Sequence, residues 1–145
     1  MQAYRREAIM AKVVHLVVAG KRRKSIARAG ITNGTGKVRI NKIAVANFGS
    51  RMENLKIQEA ILLAGDKMAK YDIDVMVHGG GPVSQADAVR LAIARAVVQF
   101  SKDRKLEKAY LDYDRAMLVA DVRHRESRKP NRHGNARGKV QKSYR

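Results

Sequence analysis

Between Tyr71 and Phe100 the hydrophobic period changes once, and that change limits the fold more than any other feature of the chain. The stretch YDIDVMVH at 71–78 alternates, which puts Ile73, Val75 and Val77 on one face of a half-buried strand. GGGP at 79–82 breaks the alternation. From about Gln85 to Phe100 the apolar positions Val89, Ile93, Ala96, Val97 and Phe100 recur at helical spacing, behind a capping box of Ser84 and Asp87. A strand that passes through three glycines into an amphipathic helix must bury both apolar faces against each other or against neighbours.

The remaining elements supply those neighbours. KVVHLVVA, from Val13 to Ala19, reads as a strand, GKRRK at 20–24 as a basic connection, and SIARAGIT at 25–32 as a second strand or a continuation of the first. NGTG at 33–36 is a hairpin signal, since Asn-Gly and Gly adopt positive φ cheaply. It leads into KVRIN, where Val38 and Ile40 oppose Lys37 and Arg39. Ser50 and Glu53 open a helix that runs to about Ala64, with Ile57, Ile61 and Ala64 on one face and Gly65 as the left-handed stop. LEKAYLDYD at 106–114 reads as a short helix, and AMLVADVR at 116–123 as a last strand or extended segment. Strands and helices without a regular βαβ rhythm predict an α+β sandwich, helices packed on one β-sheet. At 145 residues one domain suffices, and it can bury roughly two-thirds of its unfolded surface. The expected organisation is an N-terminal arm at 1–12, a globular domain at 13–126 and a basic tail at 127–145.

After Glu126 the periodicity stops. SRKPNRHGNARGKVQKSYR holds seven Lys or Arg among 19 residues and no acid, so it should be disordered alone and order on RNA. The body is basic too: the whole chain carries 31 Lys and Arg against 13 Asp and Glu, a net charge of +18. Such a field draws a protein to polyanions. Lys21, Arg22, Arg23, Lys24 and Arg28 fall within eight residues and repel one another unless an anion is present. Lys37 and Arg39 join the same strand system if the hairpin pairs. With no Trp and two Phe, stacking on a run of bases is not the main mode, and a basic globule with a thin cationic tail suits folded RNA.

Enzyme chemistry finds no footing. HGGGP at 78–82 looks like the oxyanion loop of an esterase, but there is no G-x-S-x-G elbow. Its glycines read first as a turn, with a phosphate contact at the following helix start as a secondary use. NGTGK fails the P-loop spacing. The absence of Cys removes thiol chemistry and fits a reducing compartment. His15, His78, His124 and His133 are scattered, so no cofactor and no metal are expected. No stretch is long enough to span a bilayer, and neither a membrane nor a small-molecule substrate is expected. A free-standing architectural nucleic-acid binder is the alternative non-enzymatic reading.

The stretches GKRRKSIARA, GTGKVRIN, DIDVMVHGGG, SQADAVRLAIARAVV and YLDYDRAMLVADVRHRESRKPNRHGNARGKVQKSYR, in this order, resemble the universal small-subunit ribosomal protein S-nine family in its archaeal-like form. One departure is Lys42, where a Gly often follows the Asn. The resemblance implies a fold of the ribosomal-protein-S-five domain-two type, a cytoplasmic place in the head of the small subunit, and neighbouring subunit proteins as partners. It implies ribosomal RNA contacts by Lys21, Arg22, Arg23, Lys24, Arg28, Lys37 and Arg39 on the body, and by Arg128, Lys129, Arg132, Arg137 and Lys139 on the tail. It further implies that Lys142, Ser143, Tyr144 and Arg145 approach the peptidyl-site tRNA.

Overall fold

The computed structural model describes residues 15–137. Five strands are present: β1 (Leu16–Arg22), β2 (Ser25–Asn33), β3 (Val38–Ile40), β4 (Ile43–Ala44) and β5 (Tyr71–His78). Three helices accompany them: α1 (Arg51–Ala64), α2 (Pro82–Ser101) and α3 (Arg104–Tyr113). The sheet order is β1-β2-β5-β3-β4, with β3 parallel to β5 and the other neighbours antiparallel. The α+β class expected from the period change is therefore observed.

The alternation of β2 and β5 decides which face is covered. Ala27, Ala29, Ile31, Ile73, Val75 and Val77 are buried on one side, together with Val18 of β1 and Ile40 of β3. Helix α2 seals this side, contributing Val89, Ala92, Ile93, Ala96 and Val97. Its alanines let it lie close. At Gly20 an added Cβ would stand 2.3 Å from the Ala88 carbonyl oxygen and 3.0 Å from the Ala92 Cβ. Only a residue without a side chain fits there, because the two nearest atoms, the Ala88 oxygen and the Ala92 nitrogen at 2.7 Å, belong to the helix backbone. Ile57 and Ala60 of α1 and Leu106 and Tyr110 of α3 complete the core. The Tyr110 hydroxyl donates to the Ala60 carbonyl at 2.6 Å, which satisfies it where burial has pushed its pKa up.

Several expectations need correction. NGTG does not form a hairpin between β2 and β3, because β5 lies between them and pairs with both. The two tight hairpin turns are Arg23-Lys24, between β1 and β2, and Asn41-Lys42, between β3 and β4. Asn41 and Lys42 have φ of 49° and 69°, so the turn forms with Lys where glycine would be easier. GKRRK is not a connection throughout, since Lys21 and Arg22 continue β1. The α2 start lies at Pro82, and Ser84 is the residue whose hydroxyl accepts from the Gly81 amide at 3.1 Å, one turn earlier than the expected cap. The expected cap of α1 is present, with the Glu53 carboxylate accepting from the Ser50 amide at 2.8 Å. Of the two readings of 116–123, a last strand or an extended segment, the strand does not form; a short 3-10 turn, Arg115–Met117, is followed by an irregular strap.

The close approach at Gly20 makes a test. Gly20→Ala should destabilise the protein by about 2 kcal/mol through overpacking. Gly81→Ala, with open space around its Cβ, should cost only the poorer helix cap, about 0.5–1 kcal/mol. Urea unfolding of the two variants measures the difference.

Candidate nucleic-acid interface

Ser25 builds the site from the inside. It is fully buried at the start of β2, and its hydroxyl lies 2.9 Å from both the Gly79 carbonyl and the Ser84 hydroxyl. The glycine loop can press this closely only because Gly79 and Gly80 have φ of 76° and 67° and no side chains. A Cβ on Gly80 would meet the Ser25 hydroxyl at 2.1 Å. The Arg23-Lys24 turn is thereby fixed beside the start of α2, where amides lacking intrahelical partners carry the positive end of the helix dipole.

The chain leaving α3 supplies the third wall. Arg123, His124 and Arg125 line a concavity of 670 Å³ together with Arg23, Lys24, and Gly80, Gly81 and Ser84 at the helix start. Arg23, Lys24 and Arg125 are exposed and form no salt bridge among the described residues, whereas Arg123 is held by Asp121 at 2.9 Å. Fixed cations around a helix start make a site for a phosphate group. Arg123 and Arg125 lay outside the sequence-based set. Their signal was an Arg-x-Arg alternation in a segment without apolar period, which says nothing about which body it lies against.

Three arginines hold that strap in place. Arg90 on α2 bridges Glu59 of α1 and Asp114, each at 2.9 Å. Arg95, one turn further, donates to the Leu118 carbonyl at 2.7 Å and the Ala19 carbonyl at 3.2 Å, joining the strap to the edge strand. Arg22 binds Asp121 and stands 3.8 Å from Asp87. Its charge is therefore matched within the chain.

The other expected residues do not form one patch. Lys21 and Arg28 are exposed on the sheet face away from the helices, and Arg28 lies across from Ala19 and Met76. Arg39 stands on β3, two strands away from β2, and forks onto Asp74 at 2.8 and 3.1 Å. Lys37 lies at the opposite end of β2 from the Arg23-Lys24 turn, separated by roughly 27 Å of strand at about 3.3 Å per residue. Next to it the Asp72 carboxylate accepts the Thr35 and Lys37 amides at 2.8 and 2.9 Å. Those backbone hydrogen bonds, Lys37 first, hold the Asp72 carboxyl below its usual value.

In the tail, Arg128, Lys129 and Arg132 are exposed. The described part is a closed loop rather than an extended strand: Asn135 receives the Lys129 amide at 3.2 Å and donates to the Arg132 carbonyl at 3.0 Å. Asn131, His133 and Gly134 turn it with positive φ. Arg137 clasps Glu126 across the neck, with its Nε 2.9 Å from Oε2. This hydrogen bond holds the Glu126 carboxyl below its usual value and raises that of Arg137. Lys139, Lys142, Ser143, Tyr144 and Arg145 lie outside the described residues. Among the described residues no group of three or more His, Asp or Glu is placed to hold a metal ion, and no helix is long and apolar enough to cross a membrane.

Two expected outcomes follow from these contacts. Arg95→Met should speed amide exchange of residues 115–121 by about tenfold while the protein stays folded, because a charged donor shared by two carbonyls is lost. For Asp72 the depressed pKa means that its grip on the 35–37 turn is complete at neutral pH and is lost as pH falls through the folded value. The Thr35 and Lys37 amide resonances should titrate together with a midpoint below 3.8, the ordinary value for that carboxyl.

Comparison with known proteins bears on the same residues. The model of the family described as ribosomal protein S9/S16 matches residues 20–145. The small ribosomal subunit protein uS9 of Methanococcus vannielii is 44% identical over 135 residues, covering 92% of this chain and 99% of the relative. The protein of the same name from Picrophilus torridus is 45% identical over 131 residues, covering 90% and 98%.

Proposed function

From the premise that the chain belongs to the ribosomal protein S9/S16 family, we propose that it docks on small-subunit ribosomal RNA through the concavity at the start of α2. The family is one of structural, non-enzymatic ribosomal proteins, and this chain is such a constituent of the small subunit in the cytoplasm. The observation that carries the docking mode is the cationic rim: Arg23, Lys24 and Arg125, without salt bridges among the described residues, beside a helix start. Elsewhere on this chain the half-buried Arg22 and Arg90 are matched by acids, and Arg95 by two backbone carbonyls. Among the described residues Arg23, Lys24 and Arg125 form no such pair, and Ser25 fixes the glycine loop beside them, so binding an anion requires little reordering of the backbone.

The rest of the reading extends from that seat. The sheet with its helices is taken as a body of the ribosomal-protein-S-five domain-two type. Lys21, Arg28 and Lys37 add phosphate contacts around it, while Arg22 and Arg39 shape the body through their acid partners. Arg128, Lys129, Arg132, Arg137 and Lys139 follow an RNA crevice. Lys142, Ser143, Tyr144 and Arg145 reach the peptidyl-site tRNA, where Lys142 and Arg145 meet its phosphates. Neighbouring small-subunit proteins complete the surroundings.

Replacing Arg23, Lys24 and Arg125 together by Ala should weaken binding to small-subunit ribosomal RNA and make the log–log salt dependence shallower by about two to three. An unchanged slope, measured by filter binding across a salt series, would sink the docking mode. Removing 143–145 should leave subunit assembly nearly intact and lower peptidyl-site tRNA affinity roughly tenfold, the loss of one charge-assisted contact. Equal tRNA affinity in the truncated subunits would remove the tail tip from the site.

A further inference from the structure

The sheet has a second face, and among the described residues no helix covers it. On an open sheet face outward positions are usually polar. Here the outward positions of β1 and β2 include Val17, Ala19 and Gly30, and β5 adds Met76. Val17 is 56% exposed and Met76 68% exposed. They belong to a concavity of 810 Å³, a volume in the range of small-ligand sites.

The polar groups around this floor are already matched. Asp74 is forked by Arg39. The Asn41 side chain is fully engaged with the Val77 backbone, donating to its carbonyl at 3.1 Å and accepting its amide at 2.9 Å. Gly30 leaves a gap in the side-chain layer, and the His15 imidazole occupies its edge, with Cε1 2.8 Å from where a Cβ would be. Arg28 and Lys42 remain on the rim, exposed and without a salt bridge among the described residues.

We propose that this face seats one unpaired nucleotide of RNA, its base on the floor of Val17, Gly30 and Met76 beside the His15 ring, and its phosphate on Arg28 and Lys42. The inference rests on the reading of the chain as an RNA-bound ribosomal protein. The chemistry selects a planar apolar group joined to an anion. A flat apolar floor suits the face of any base, the His15 imidazole at its edge offers a flat neighbour, and two cations complement one phosphate. An acidic protein segment would match the cations but would leave the floor and the imidazole without a flat partner. Among the described residues no Tyr or Phe stands on this face to hold a run of stacked bases, so one nucleotide is the occupant.

The experiment places p-benzoylphenylalanine at Met76 in the full chain, expressed in its own cells, with the same group at Leu62 on α1 as control. Small subunits are purified and irradiated. Incorporation of the chain into subunits tests the ribosomal reading by itself. In incorporated subunits, the Met76 probe should crosslink to a single unpaired nucleotide of the ribosomal RNA, and the Leu62 probe should not reach it. Adding Arg28→Ala should lower that yield at least fivefold. A crosslink to a protein, a spread over paired nucleotides, no crosslink, or a yield indifferent to Arg28→Ala would each overturn the proposal.

Discussion

The distance between α2 and β1 governs this molecule. A glycine at position 20 lets the backbone of the strand meet the backbone of the helix around Ala88 and Ala92. Close packing of this kind fixes both the height and the rotation of a helix over its sheet. With α2 so placed, its first turn comes down beside Ser25 and the glycine loop, and Arg90 and Arg95 emerge along the edge of β1. The docking concavity and the anchored strap thus have one origin. A bulkier contact would lift the helix, draw Ser84 away from Ser25 and spread the cations of the rim.

That arrangement sorts the positive charges into two kinds. Arg22, Arg39, Arg90 and Arg137 are spent on acids of the same chain, where they brace strands, helices and the neck of the tail loop. Exposed pairs such as Arg39–Asp74 add little to stability, but they fix where side chains lie. Arg23, Lys24, Arg28, Lys42 and Arg125 form no such pair among the described residues, and they face two separate concavities. A net charge of +18 alone predicts attraction to a polyanion. The sorting predicts where the polyanion rests.

Much of the fold was legible in the sequence, and what escaped has a common cause. The faces of β5 and α2 follow from local period, and Ile73, Val75, Val77, Val89, Ile93 and Val97 are buried as the period requires. The cap of α1 is a four-residue signal and was equally readable. The insertion of β5 between β2 and β3 was not, because NGTG promises a local turn and no local signal reports that a distant strand takes both partners. Whether an arginine is free depends on the same non-local facts. Arg22 and Arg23 are adjacent and chemically alike, yet the two-residue turn leaves Arg22 on the covered face with Asp87 and Asp121 and Arg23 on the rim. The strap arginines were missed for the same reason, since their neighbours lie across the chain.

The most direct measurement is a cryo-electron microscopy reconstruction of the small subunit from the organism that makes this chain, resolved well enough to see phosphates. The account predicts a ribosomal RNA phosphate within hydrogen-bond distance of the free amides at Val83 and Ser84, flanked by Arg23 and Arg125. A helix start that faces solvent or a protein, with the RNA held elsewhere on the chain, would contradict it.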